Sequence, residues 1–440
     1  MTSVLVIGAG IAGSAAAIAL AKGGASVDVV EITPGGHAVG SGITLQGNAL
    51  RVLRDLGVWE EVSAHGYGFD TIGIRAPDAD GTLLVAMDDA RTGGPDLPSG
   101  MGMERPVLAS ILHAAAEDAG AKLRFGVTAS SLMQDESSVA VTFTDDTTGR
   151  YDLVIGADGV RSWTRAAIGI DLTPRPTGMG IWRLVGPRPD SVTRTDLYYG
   201  GAGYIAGYCP TGVNSLYAYI VEEAQDRTCL TPEQRLGVMQ GLAESYHGPW
   251  DDIKQHLDDP KAINYTWFET HVLEGPWHRG RVVLIGDAAH CCPPTVAQGG
   301  AQGLEDAIVL ADMVLAANTI DDALLDAMAG NVFRMGEYGQ PATLKLLNNT
   351  LATYNLASTA RILNLADQLG MPAGTLLDVI GVSTGQSWMG DNIIDVQYDL
   401  LLKDVALLRN EVDSLPAGLD NVEESVLHAR TLLEKSGGGL

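Results

Sequence analysis

Apolar positions run almost unbroken through Ser3–Ile7, where Val and Ile dominate, and this pattern predicts a strand buried on both faces. A glycine turn follows, then the Ala-rich helix Ile11–Lys22 and a second buried strand, Val27–Val30. Together they make a β-α-β unit of about 30 residues. Gly40–Ile43 reads as a glycine loop, and Asn48–Leu56 as a helix ending at Gly57. Pro77–Gly102, rich in Gly, Asp and Pro, predicts an exposed loop with a hairpin; Val107–Asp118 has helical periodicity and stops at Gly120. Val139–Thr144 and Tyr151–Ile155 read as strands. Between about 177 and 275 the pattern alternates and Tyr, Trp and Val are frequent, predicting an antiparallel sheet with one face turned to a cavity. Arg281–Ile285 is another buried strand, followed by the helix Gly303–Leu315. From about 320 only helical patterns remain, over 321–332, 341–369, 373–380, 398–413 and 420–435, punctuated by Gly370-Met371-Pro372 and Leu415-Pro416.

A chain of 440 residues with 46% hydrophobic content supports two or three packed cores. Its 54 acidic against 28 basic residues, a formal charge of −26, would repel a polyanion or an anionic membrane, so neither nucleic acid nor membrane is expected as a partner. The four cysteines, Cys209, Cys229, Cys291 and Cys292, are too few and too irregular for a disulfide framework or a zinc site; no metal is expected, and reduced thiols fit a cytoplasmic protein. The first strand begins at once, leaving no room for a leader, and no apolar run approaches the ~20 residues of a spanning helix.

Gly8-Ala9-Gly10-Ile11-Ala12-Gly13 sits where chemistry is expected, between strand and helix. Gly8 permits the tight turn, Gly10 admits a pyrophosphate to the backbone, and Gly13 lets helix and strand approach. The helix N-terminus offers N–H donors and partial positive charge. Glu31, 18 residues beyond Gly13, ends the second strand, where a carboxylate can accept from both hydroxyls of an adenosine ribose. Dinucleotide binding follows, without a choice between NAD and FAD.

Two later motifs make that choice. The first is Asp152-Leu-Val-Ile-Gly-Ala-Asp158-Gly159 with Arg161, Ser162 and Arg165; the second is Val283-Leu-Ile-Gly286-Asp287-Ala-Ala-His290, then Pro293-Pro294, Gly299-Gly300 and a helix with Glu305-Asp306. With the glycine turn, these resemble the flavoprotein aromatic hydroxylases of the para-hydroxybenzoate hydroxylase type over about residues 1–320. The resemblance implies an α/β fold: a Rossmann-like FAD-binding domain over 1–175 and 276–320 with an inserted antiparallel β-sheet substrate domain over 176–275; the helical patterns beyond it add an all-α domain over 321–440. It implies that Asp287 bonds the ribityl chain, that Gly299, Gly300 and Ala301 present N–H groups to the flavin pyrimidine behind Pro294, that Arg105 contacts the phosphate and ribityl region, and that Asp158 lies near flavin and nicotinamide. Gly42 and Gly286 complete the expected cofactor contacts.

No second dinucleotide fingerprint is present, so NADH or NADPH is expected only as a transient reductant. The resemblance implies that reduced FAD captures O2 and that a C4a-hydroperoxyflavin passes one oxygen to an electron-rich ring. The protein's own tasks are positioning, dryness and electrostatics. Phenols and aromatic acids are the implied substrates, and they call for a base or strong acceptor. Candidates are His290 and Tyr204, Tyr208, Tyr217 and Tyr219; alternation places Tyr217 and Tyr219 on one strand face. Trp182-Arg183 resembles a Trp-Arg pair of family members, where the Arg lies near the flavin, and Arg183 could bind a carboxylate. Cys291 and Cys292 are expected to pack beside the Pro-Pro turn.

Beyond about 325 the chain resembles the helical C-terminal domain of the β-hydroxyacid dehydrogenases, carried by Gly336, Gly339, Lys345, Asn348 and Asn349, then Ser383-Thr-Gly-Gln-Ser-Trp388 and Lys403-Asp404. The Rossmann fingerprint those enzymes need is absent, so an interaction or homodimerisation module is expected here. Two other readings stay open: dehydrogenase chemistry in this domain, or a flavin-binding protein without catalysis.

Overall fold

The computed structural model describes residues 2–35, 41–273, 275–293 and 297–316, and isolated positions between 355 and 380. The chain divides into two compact units, Met1–Val332 and Phe333–Leu440. Apart from those isolated positions, the helices expected beyond 320 lie outside the described residues, as does Pro294.

In the first unit, a six-stranded sheet carries the order His278–Arg279, Val282–Leu284, Leu153–Gly156, Ser3–Ile7, Ser26–Glu31, Lys122–Phe125. All neighbours are parallel except the outermost pair, His278–Arg279 with Val282–Leu284. Val4–Ile7 and Leu153–Gly156 at its centre are apolar or glycine throughout because both faces are covered, one by helices and the other by the small antiparallel sheet of Ala129–Gln134, Val139–Phe143 and Thr148–Tyr151. Ile11–Lys22 packs between the sheet and the helices Arg105–Asp118 and Gly299–Ala316, with Ala15, Ala16, Ala17 and Ile18 all fully buried. Parallel register has a direct consequence. Leu153–Gly156, Ser3–Ile7 and Val282–Leu284 all end on the same edge of the sheet, so the turns that follow them lie side by side, where open α/β sheets bind ligands.

The second sheet has eight strands in the order His290–Cys291, Ile263–Val272, Arg175–Pro187, Ser215–Glu223, Ile205–Pro210, Thr195–Tyr199, Thr71–Arg75, Leu83–Asp88. The expected sheet over 176–275 is present, but it also recruits Thr71–Arg75, paired parallel to Thr195–Tyr199, and Leu83–Asp88. One face is covered by two helices that alternation did not announce, Pro232–Ala243 and Pro249–Lys254. The first of these starts with a reciprocal cap between Thr231 and Gln234. Met239, Tyr246, Trp250 and Ile253 from this layer bury Trp182, Tyr198 and Tyr208 of the sheet.

Two further departures have local causes. The expected glycine loop at Gly40–Ile43 becomes, from its second half, the strand Gly42–Gln46, paired with Gly100–Glu104. Glycine there serves close approach rather than looping: a Cβ on Gly102 would lie 2.0 Å from the Pro210 carbonyl oxygen. The single strand expected over Tyr151–Ile155 is two, Thr148–Tyr151 and Leu153–Gly156, in different sheets. Asp152 breaks them, its carboxylate accepting the Ser3 N–H at 2.8 Å.

Candidate active site

A cavity of about 470 Å³ opens where the two sheets meet. Gly10, Ile11 and Ala12 line it from the first turn, Ala157, Gly159 and Val160 from the second, and Ile285, Gly286 and Asp287 from the third. The glycine turn behaves as its spacing predicts. Gly8 has φ +104°, and a Cβ there would lie 2.4 Å from the Ala157 carbonyl oxygen; one on Gly13 would lie 2.0 Å from that of Gly8. A Cβ on Gly10 would meet nothing within 4 Å, because that side is open to the cavity. Glu31 braces the turn from just outside the lining, accepting the N–H of Ala9 at 2.9 Å and of Thr33 at 2.8 Å.

Arg105 opens the helix Arg105–Asp118, and its backbone N–H is fixed by the Ser41 carbonyl at 2.9 Å. Its side chain projects into the cavity beside the third turn. Asp287 projects into the same space. Both have accessible surface, and that surface faces the cavity. Desolvation accordingly lowers the Arg105 pKa, against the pull of Asp287, and raises that of Asp287, against the pull of Arg105 and His290. Neither side chain makes a hydrogen bond to a described residue. A cation and a carboxylate set unbonded around an open glycine turn are the donor and acceptor set that a diphosphate with neighbouring hydroxyls requires. Gly299 and Gly300 close the same wall at the start of Gly299–Ala316, and Ala301 is buried behind them, 2% exposed. The residues present therefore fit FAD.

Opposite stands the second sheet. Arg183, Tyr217 and Tyr219 face the cavity, and Gly42 leaves them room, since a Cβ there would overlap the Tyr217 ring. Burial raises the pKa of both tyrosines, so their phenols stay protonated at neutral pH. The Arg183 guanidinium donates to the Thr266 hydroxyl.

The remaining candidates sit elsewhere. Trp182 neighbours Arg183 and so points to the opposite face, fully buried, with Nε1 donating to Glu222 at 2.9 Å. Tyr208 shares that core face, its hydroxyl donating to Asp196 at 2.7 Å, and Tyr204, two turns of the pleat earlier, is exposed. Asp158 spends its carboxylate on the start of the helix Trp163–Ala167, accepting from Ser162 Oγ at 2.5 Å and from the Thr164 N–H at 2.8 Å. Only its neighbours line the cavity. Cys291 and Cys292 are in the wall, and burial pushes the Cys291 thiol up to about 12, so both pack rather than react.

His290, a candidate base, does not line the cavity. Its Nε2 is 2.7 Å from Asp306 Oδ2, and the same oxygen accepts the Gly286 N–H at 2.8 Å. The Asp306 hydrogen bond raises the His290 pKa, so protonation strengthens this latch on the third turn, and the ring, engaged by Asp306 outside the cavity lining, is not placed to accept a proton from substrate. Because the folded pKa is raised above 6.5, its stabilisation is full below about pH 6.5 and is lost as pH rises through the folded value. His290→Gln should therefore lower the melting temperature most near pH 6 and progressively less towards pH 9. Melting curves across that range check it; a constant difference would remove the charge from the account.

A residue whose role escaped the sequence reading completes the site. Arg165, 3% exposed, donates to the Val160 carbonyl and to the Ala288 carbonyl, each at 2.9 Å, and so ties the second turn to the third. Its place in the second motif, seven residues after Asp158, was the only mark the sequence offered. Among the described residues no group of three or more His, Cys, Asp or Glu could hold a metal, and no helix is long and apolar enough to cross a membrane.

Comparison with known proteins agrees with this geometry. Residues 1–329 match the FAD binding domain family. Aurachin C monooxygenase/isomerase of Stigmatella aurantiaca is 30% identical over 352 residues, 77% of this chain and 90% of that one. The 2-heptyl-3-hydroxy-4(1H)-quinolone synthase of Mycobacteroides abscessus is 31% identical over 325 residues, 72% and 83% of the two chains. Among solved structures, the tetrameric form of 2-methyl-3-hydroxypyridine-5-carboxylic acid oxygenase superposes with a TM-score of 0.64 at 26% identity, covering 74% of this chain and 86% of that one. The chain belongs to the FAD binding domain family and is an FAD-dependent monooxygenase.

Proposed function

We propose that the enzyme uses NADH or NADPH and O2 to hydroxylate an aromatic substrate held between the sheet face and the cofactor cradle. The observation that carries this reading is the single cavity: the face bearing Arg183, Tyr217 and Tyr219 stands across it from all three glycine-bearing turns. FAD, when bound, supplies the redox chemistry that activates O2.

The chain's residues do the rest. Gly10 and the start of the helix Ile11–Lys22 receive the diphosphate; Arg105 and Asp287 offer it a cation and an acceptor for a neighbouring hydroxyl. Arg183 sets a positive potential that favours a deprotonated ring hydroxyl or a carboxylate, and the protonated Tyr217 donates a hydrogen bond to it. The aliphatic and aromatic residues around them exclude water from the reacting centre. The named relatives support a planar heteroaromatic or phenolic ring as the substrate type. Phenols and aromatic acids added to the FAD-loaded enzyme should accelerate NAD(P)H oxidation at least ~10-fold, the size of one 1.4 kcal/mol effect on the barrier, and give a product heavier by one oxygen atom. Acceleration by none of them, or consumption without an oxygenated product, overturns the reading.

A further inference from the structure

The lining of the substrate side is divided into a polar patch and an apolar band, and the division follows the sheet register. Arg183 pairs with Tyr219, and Tyr217 lies two residues further along the same strand, so these polar groups form one patch. The adjacent row crosses four strands and is aliphatic up to its last member: Ile181 pairs with Val221, Val221 with Ile205, and Ile205 with Tyr199, whose phenol ends the row. Ile181 and Val221 pack with Phe268 in one apolar cluster, against which Ile205 lies. Three interstrand spacings make this band roughly 14 Å long. Its far end is open, since Tyr199 is 55% exposed; Trp267 stands beside its near end. All six residues line the cavity.

A compact aromatic acid would leave such a band wetted and unused. From this we infer that the substrate is amphipathic: its ring carries the polar group to Arg183 and Tyr217, and an aliphatic arm lies along Ile181, Val221 and Ile205 towards Tyr199. The inference rests on the aromatic monooxygenase reading and narrows its substrate class.

Calorimetric titration of the FAD-loaded enzyme with 4-alkylphenols from methyl to octyl, and with 4-hydroxybenzoate, tests it. Burial of each methylene should tighten Kd by about two- to four-fold until the arm passes Tyr199, with one site per chain, and the octyl compound should bind more tightly than 4-hydroxybenzoate. In the variant Ile205→Thr with Tyr199→Ser, that gain per methylene should shrink while 4-methylphenol binds as before; retained flavin content shows that the variant is folded. An affinity independent of arm length, an unchanged gain in the variant, or tighter binding of 4-hydroxybenzoate overturns the amphipathic substrate and leaves the hydroxylase reading standing. If neither series binds, both fall.

Discussion

Asp287→Ala should emerge from purification folded but with little or no flavin. The carboxylate lies in the cavity and bonds no described residue, so the fold does not depend on it, whereas a hydroxyl-bearing cofactor would. A hydrogen bond to a charged acceptor contributes about 1.5–3 kcal/mol, which is roughly a 10- to 150-fold rise in Kd for FAD. Removing the charge also leaves Arg105 a desolvated cation without its main counter-charge, since Asp287 opposes the desolvation that lowers the Arg105 pKa more than any other group does. The ratio of flavin to protein, and titration of the apoprotein with FAD, read the effect. Circular dichroism should be unchanged. A variant carrying a full complement of flavin would remove Asp287 from the site.

Gly13→Ala should be as damaging through a different cause. By helix propensity alone the change would help, because Ala exceeds Gly by about 1 kcal/mol in a helix interior. Sterics oppose it. The new methyl would lie 2.0 Å from the Gly8 carbonyl oxygen and 3.1 Å from the Ala157 Cβ, and the first of these is backbone in the turn itself. Overpacking of this kind costs roughly 1–3 kcal/mol, and relief requires the helix Ile11–Lys22 to move away from the turn that receives the diphosphate. Flavin content and melting temperature should both fall. A melting temperature that rises would show that helix propensity wins and that the contact is not tight.

The cofactor side was far more legible in the sequence than the substrate side, and the reason is physical. A dinucleotide turn needs glycines at fixed spacing after a buried strand, and each requirement leaves a residue-level mark at Gly8, Gly10 and Gly13; Gly286 and Asp287 were named only through the family resemblance. Parallel pairing then brought the turns together without any further signal. The substrate face depends on strand parity. Alternation placed Tyr217 and Tyr219 together, and the same rule applied to Trp182-Arg183 would have sent Trp182 to the core, because neighbours on a strand point apart. Tyr208 was lost for a related reason: whether its phenol faces a cavity or bonds Asp196 depends on register with Thr195–Tyr199, which local pattern does not encode. Tyr199, Trp267 and Ile205 were missed because nothing in their own neighbourhood distinguishes a cavity wall from a core. His290 was misassigned because a histidine after Asp287 carries no sign of Asp306, its partner 16 residues on. The strands Gly42–Gln46 and Gly100–Glu104 were hidden by their glycines, which the structure uses for close approach.

A crystal structure of the flavin-bearing protein is the most direct test of the cradle. The account predicts density for one FAD running from the turn at Gly8–Gly13 to Gly299–Gly300, with Arg105 and Asp287 in hydrogen-bonding distance and the ring system facing Arg183 and Tyr217. A ligand confined to the first turn, or a nicotinamide dinucleotide resident there, would contradict it.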